Sequence, residues 1–210
     1  SFVGADSTEE VKNIYDQVIS AITNEIGTLP ETTDLQYNPL LNKVLPALRM
    51  LLSDDGPKVI RCRHNTLTER YYKSQADFHK ISLPLTPDII VYCKSRYLYI
   101  EQSSSSERIL QSVKQQLPVF RNEYGYLPSV ILVKNAGIIA VGSSAESAET
   151  ILDVYEDLVK VSYYSSLFGG TKSLTPEQSA FIDKWEVENY RRKMAGTRTS
   201  SSKLSHRIAV

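Results

Sequence analysis

The sequence predicts an α/β protein with three layers, α/β/α, built on a mixed sheet of about five strands. Segments with apolar residues at every third or fourth position alternate with short β-branched runs, which is the pattern of helices laid against a sheet. At 210 residues the chain is long enough for one large domain or two small ones with a sizeable core. Its 41% hydrophobic and 23% charged content is that of a globular chain.

The first element is a helix. Ser7-Thr8-Glu9-Glu10 has the form of a capping box, in which Ser7 accepts from the third helical amide while Glu10 reaches back. Val11, Ile14, Val18, Ile22 and Ile26 follow at helical spacing up to Gly27. After a polar connector from Leu29-Pro30, Pro39 suits the first turn of a second, more buried helix. That helix carries Leu40, Leu41, Val44, Leu45, Leu48, Leu51 and Leu52 and ends near Asp55-Gly56-Pro57. Pro46 falls inside it and predicts a kink or a split.

The period then changes. Lys58 to His64 (KVIRCRH) reads as a strand with Val59, Arg61 and Arg63 on one face and Ile60 and Cys62 on the other. Leu83 to Asp88 reads as non-helical, because Pro84 and Pro87 hold their predecessors extended. Ile89–Cys93 and Tyr97–Ile100 are short apolar runs that read as covered strands. Ser103 to Ser106 supplies a loop and an N-cap for a helix from Glu107 to Tyr124. Val130 to Gly142 (VILVKNAGIIAVG) reads as two strands joined at Asn135-Ala136-Gly137. A long amphipathic helix from Ser144 to about Leu167 stops at Gly169-Gly170. Thr175-Pro176 opens a last helix with Phe181, Ile182, Trp185 and Tyr190 on its apolar side. Ala195 to Lys203 reads as a linker. The organisation is a helical lead-in over 1–57, an α/β domain over 58–194, and a linker with the start of another unit over 195–210.

Charge sums to zero, with 24 basic and 24 acidic residues, so no global field recruits nucleic acid or anionic lipid. Residues 1–55 hold nine acids and three bases, and 56–82 hold six bases and two acids, an acidic cap leading into a basic region. The longest apolar stretch, Val130 to Val141, is cut by Lys134-Asn135 and falls short of the ~20 residues of a membrane helix. The opening SFVGADSTEE lacks a signal-peptide layout, and two cysteines do not staple a chain of this size. A reducing, cytoplasmic setting is expected.

Three segments carry a family resemblance: Leu85 to Ile100 (LTPDIIVYCKSRYLYI), Val130 to Gly142, and Ile182 to Tyr190 (IDKWEVENY). In order and spacing they resemble the later part of class II aldolase/adducin-family proteins, over roughly Lys58 to Lys193. The resemblance points to the bifunctional type in which an aldolase region precedes a short-chain dehydrogenase, as in rhamnulose-1-phosphate aldolase/lactaldehyde dehydrogenase fusions. Leu204 to Val210 looks like the lead-in to a Rossmann strand, and the glycine-rich turn that would follow is absent from the sequence. This reads as one region of a larger protein. The resemblance implies a class II aldolase-like fold, with neighbouring aldolase and dehydrogenase domains as partners. NAD and a divalent metal, zinc, are expected in the parent protein, and no cofactor in this chain.

A class II aldolase holds its metal with three histidines, two from H-x-H on a strand and one from a K/N-H-G turn, to polarise a ketose phosphate. Here the turn reads Lys134-Asn135-Ala136-Gly137, with a methyl group in place of imidazole. There is no H-x-H, and the segment that reads PDH in some relatives is Pro87-Asp88-Ile89. His64, His79 and His206 share no ligand spacing, so no metal-binding and no catalytic residues are assigned. Arg61, Arg63 and His64 at a strand end, with Lys94 and Arg96, form a candidate anion site for a sugar phosphate, Lys94 being the best single candidate for an anion contact. The other reading of the arginines is a solvated or salt-bridged strand face. Lys134 and Asn135 either line the same cleft or serve the turn. Cys62 and Cys93 read as packed thiols, and Tyr163, Tyr164, Trp185 and Tyr190 as core or subunit-contact anchors. Function therefore reads as a metal-ligand-less aldolase-like region that supports an aldolase cleft. The alternatives are an adducin-like assembly module, with a homo-oligomer as partner, or an enzyme using Lys94, Asp88 and His64 without metal.

Overall fold

The hairpin read at Val130 to Gly142 is the centre of the sheet in the computed structural model, which describes residues 2–26, 32–36, 38–54, 56–101 and 103–184. Strands β1 (Val59–Arg63), β2 (Leu98–Ile100), β3 (Val130–Val133) and β4 (Gly137–Gly142) form one sheet in the order β1-β4-β3-β2. β4 is antiparallel to both neighbours, with Arg63 opposite Ile138 and Val59 opposite Gly142, and β2 runs parallel to β3.

Both faces of the sheet are covered, which gives the three layers. On one side Val130, Leu132, Ile138 and Ala140 pack with Leu67, Tyr72, Ile89, Leu152, Tyr155 and Val159. These come from α3 (Glu69–Tyr72), α5 (Pro87–Cys93), α7 (Ala145–Ser165) and the turn before α3; α4 (Gln75–His79) adds Phe78 to this side. On the other side Ile131, Val133, Ile139 and Val141 meet Leu41, Val44 and Leu48 of α2 (Pro39–Leu51) and Ile109, Val113 and Leu117 of α6 (Ser106–Tyr124). Each fully buried aliphatic side chain contributes ~1.5–3 kcal/mol, so a hairpin buried on both faces reads as a continuous apolar run rather than an alternation.

The sheet has four strands among the described residues, not about five, because Ile89–Cys93 lies in helix α5. Pro87 sits at the first helical position with φ already set, after an extended Thr86. Ile89, Ile90, Val91 and Cys93 are all buried, and the exposed Asp88 and Tyr92 make too narrow a stripe to reveal the period. Asp88, read as non-helical, belongs to the same helix. The split predicted at Pro46 does not occur, since α2 runs continuously across it.

The caps are local and follow the sequence. Ser7 accepts from the Glu10 amide, Ser105 from that of Arg108 and Ser144 from that of Ser147. Helix α1 (Thr8–Ile26) buries none of its residues, leaving Tyr15, Val18, Ile19 and Ile22 exposed. A 3₁₀ turn (Ser166–Phe168) and Gly169 in left-handed geometry end α7, before α8 (Pro176–Lys184). No helix among the described residues is long and apolar enough to cross a membrane. Trp185, Tyr190, His206, the linker and Leu204 to Val210 lie outside the described residues.

Candidate functional site

The residues read as an anion site do not all come together. β1 ends beside the β3–β4 turn, which places Arg63, His64, Lys134 and Asn135 at that end of the sheet. Lys94, at the C-terminal end of α5, precedes β2 and lies at the opposite end.

At the turn end the guanidinium of Arg63 is spoken for. It donates from Nη1 to Glu156 Oε2 at 2.9 Å and from Nη2 to Glu149 Oε1 and Asp153 Oδ1, both at 2.7 Å. The three acids fall on one face of α7, which packs across β1 and β4. Arg61 lies 3.8 Å from Glu149 and is half exposed. Glu156 also accepts from Asn65 Nδ2 at 3.3 Å and pairs with Lys160 at 3.5 Å. Burial works against the charge on Arg63, and its hydrogen bonds to Asp153, Glu156 and Glu149 outweigh it, so its pKa is raised. Glu149, Asp153 and Glu156 are not singled out by any motif in the sequence. Their spacing on one helix face was visible, but which strand they meet depends on the β1-β4 pairing.

The turn itself is tight. Asn135 has φ 55°, and Gly137 has φ 142°. A Cβ at Gly137 would lie 3.0 Å from the Arg63 carbonyl and 3.1 Å from Cys62 Sγ, so only glycine fits. The Asn135 carbonyl accepts from Asn38 Nδ2 at 3.1 Å, tying the turn to α2, and Lys134 pairs with Glu101 at 3.1 Å. Ala136 is buried in the α2–α6 face of the core.

These residues do not fit the zinc that the family resemblance implies. β1, the strand beside the turn, presents Arg61 and Arg63 at alternate positions, and a guanidinium carries no lone pair to give a metal. Ala136 offers a methyl group. His79 is exposed on α4, and His64 turns its ring edge-on to Tyr72 at 5.7 Å. Among the described residues no three His, Cys, Asp or Glu side chains are grouped to hold a metal ion.

His64 has both ring nitrogens buried without a hydrogen-bond partner. Burial lowers its pKa from 6.5, with Glu69 acting weakly the other way. The unfolded imidazole therefore takes up its proton first as pH falls. Stability is full above about pH 6.5 and declines as pH drops from there through the folded value. The carboxyl of Asp77, held low by Lys80 and Ser74, titrates below this window. Urea unfolding at about pH 7.5 and 5.5 is expected to show lower stability at the acid end, and His64→Phe is expected to flatten that difference. The thiols are inert for the same reason: burial pushes Cys62 up to about 12 and Cys93 higher still.

At the other end, Lys94 has φ 67° and ψ 175°, a region that glycine alone occupies without strain. Such a conformation costs ~1–3 kcal/mol. A cation at a helix C-terminus returns only ~0.3–1 kcal/mol, so its position at the end of α5 does not by itself repay the strain. Lys94 Nζ lies 5.4 Å from the centroid of Tyr126, within cation–π range. Tyr126 is fixed in turn, since its hydroxyl is 2.9 Å from Ser95 Oγ, which donates to Asp183 at 2.6 Å.

No family model matches the sequence, and no curated protein matches it. Solved structures do. An aldolase II superfamily protein from Pseudomonas syringae aligns with a TM-score of 0.50 at 15% identity, over 79% of this chain and 64% of that one. The fold is class II aldolase-like. YgbL from Escherichia coli and from Klebsiella pneumoniae, for which aldolase, epimerase and decarboxylase activities are all named as candidates, also align. They do so at 17% and 16% identity, with TM-scores of 0.43 and 0.44, over 59% of this chain and 56% of theirs. The chain thus spans less than two thirds of the length of each of these neighbours. At these identities the likeness speaks for the fold alone.

Proposed function

We propose that this chain is a class II aldolase-like region without metal ligands, which supports the cleft of a metal-bearing aldolase domain and joins it to an NAD-dependent short-chain dehydrogenase. The observation that carries the first part is the Arg63 cluster. Where the resemblance calls for a three-histidine site, a strand bearing Arg61 and Arg63 runs beside a turn bearing Ala136, and α7 supplies carboxylates that neutralise the arginine. A built ion-pair network holds the strand to the helix in place of a Lewis acid. The fusion reading rests on the order of the resembling segments and on the sequence of Leu204 to Val210, which reads as a lead-in to a Rossmann strand. Its parent reaction is retro-aldol cleavage of a ketose 1-phosphate followed by NAD-linked oxidation of the aldehyde.

The test is a cleavage assay on rhamnulose 1-phosphate with zinc added. The chain alone is expected to be silent, and a longer protein containing it is expected to cleave the sugar and reduce NAD. Zinc-dependent cleavage by the chain alone would overturn the reading. The exposed stripe of Tyr15, Val18, Ile19 and Ile22 on α1 favours the second reading, an adducin-like assembly module. Light scattering separates the two, since a strictly monomeric chain at high concentration counts against assembly.

A further inference from the structure

Two apolar surfaces of this chain are left open, and their chemistry matches. The first is helix α1. Eight of its 19 residues are valine, isoleucine or threonine, whose β-branched side chains disfavour a helix on intrinsic propensity. A helix of that composition draws its stability from packing an amphipathic face. Within the chain α1 buries none of its residues, and Tyr15, Val18, Ile19 and Ile22 are 42–57% exposed. Their spacing is that of a helix that lays one face into a groove.

The second surface is such a groove. An open concavity of about 750 Å³ lies between α2 and the start of β1, with Leu45, Pro46 and Met50 on one side and Ile60 on the other. Met50 is 80% exposed. The polar lining is engaged with the chain's own backbone. Arg49 Nε donates to the Lys58 carbonyl at 2.7 Å, while Ser53 Oγ donates to the Arg49 carbonyl at 2.6 Å and accepts from the Lys58 amide at 3.3 Å. Small-molecule sites orient their ligand with converging polar groups, so this lining suits an apolar protein face better.

Charge decides the occupant. α1 carries Glu9, Glu10, Asp16 and Glu25 against Lys12 alone, whereas α2 carries Lys43 and Arg49 and no acid. Two α1 helices laid together would juxtapose like charges, and α1 laid beside α2 brings opposite ones together. Within one chain the helix stays exposed and the groove stays open, so the helix that fills the groove comes from another copy. Reciprocal exchange about a two-fold axis closes the pair and uses each surface twice.

We propose that α1 of one copy docks in the α2–β1 groove of a second copy, forming a closed homodimer by mutual exchange. This dimer rests on the assembly-module reading and gives it a surface.

The experiment is sedimentation velocity on the whole chain, joined to cross-linking of mixed single-cysteine variants. Val18→Cys and Met50→Cys are prepared separately, mixed and treated with a short bismaleimide. The native Cys62 and Cys93 stay unreactive, because burial keeps both thiols protonated. The expected result is a dimer in which Val18→Cys of one chain is joined to Met50→Cys of the other, with little product from either variant alone. Ile22→Asp and Met50→Asp, at positions exposed in the single chain, are each expected to weaken dimerisation by about tenfold or more while the amide resonances of the sheet stay in place. Met50→Lys, set against an acidic helix, is expected to weaken it less than Met50→Asp. A dimer that gives no cross-link in the mixture, or joins Val18→Cys only to itself, would overturn the exchange and leave assembly standing. A strictly monomeric chain at high concentration would overturn both. Equal losses in Met50→Lys and Met50→Asp would overturn the charge match.

Discussion

Replacing Arg63 with methionine is expected to lower the stability of the chain by about 2–3 kcal/mol, read as a drop in the urea midpoint at unchanged slope. The cost comes less from the pair itself than from what is left behind. Glu156, with a side chain only 12% exposed, loses its 2.9 Å partner and keeps Asn65 and Lys160. Those two remaining contacts hold the figure below the 3–5 kcal/mol typical of breaking a fully buried pair. Glu149 and Asp153, half exposed or more, are screened and add little. The double variant Arg63→Met/Glu156→Leu is expected to recover much of the loss, because it removes the stranded charge as well. A double variant no more stable than the single would show that Arg63 acts by packing and not by pairing.

Gly142→Ala is expected to cost at least about 3 kcal/mol, a fall of roughly 10 °C in melting temperature for a chain of this size. A Cβ on Gly142 would stand 2.4 Å from the Ala148 nitrogen, 2.8 Å from its Cα and 2.9 Å from the Ser147 carbonyl carbon. All three are backbone atoms of the first turn of α7, so no side chain can swing aside. To admit one methyl group the helix must lift from the end of β4, opening the face where Ala148, Ile151 and Leu152 are buried. Thermal unfolding followed by circular dichroism measures this, and a shift of only a degree or two would mean that α7 moves freely.

What could be read from the sequence was what is decided locally. The serine caps, the hairpin with its Asn135 and Gly137 conformations, and the glycine stop after α7 follow from residues within a few positions of one another. Helix α5 was not legible. A five-residue apolar run in which only Tyr92 is exposed has the same composition as a central strand, and only the cap at Thr86-Pro87 distinguishes them. The sites divide in the same way. The sequence itself shows Ala136 in the turn and no H-x-H. The partners of Arg63 lie on α7, far along the chain, and became identifiable only once β1 was placed against β4. Grouping Lys94 with Arg61 and Arg63 failed for a topological reason, because α5 ends at one end of the sheet and β1 at the other.

This architecture is expected to hold an ion-pair cluster where the family resemblance calls for a metal. Zinc titration calorimetry on the chelator-stripped chain, with metal analysis after dialysis, tests that most directly. The expected result is no stoichiometric uptake, and none in Ala136→His, because Arg61 and Arg63 still flank the turn. One tightly held zinc per chain, lost together with the side chains around this turn, would contradict it.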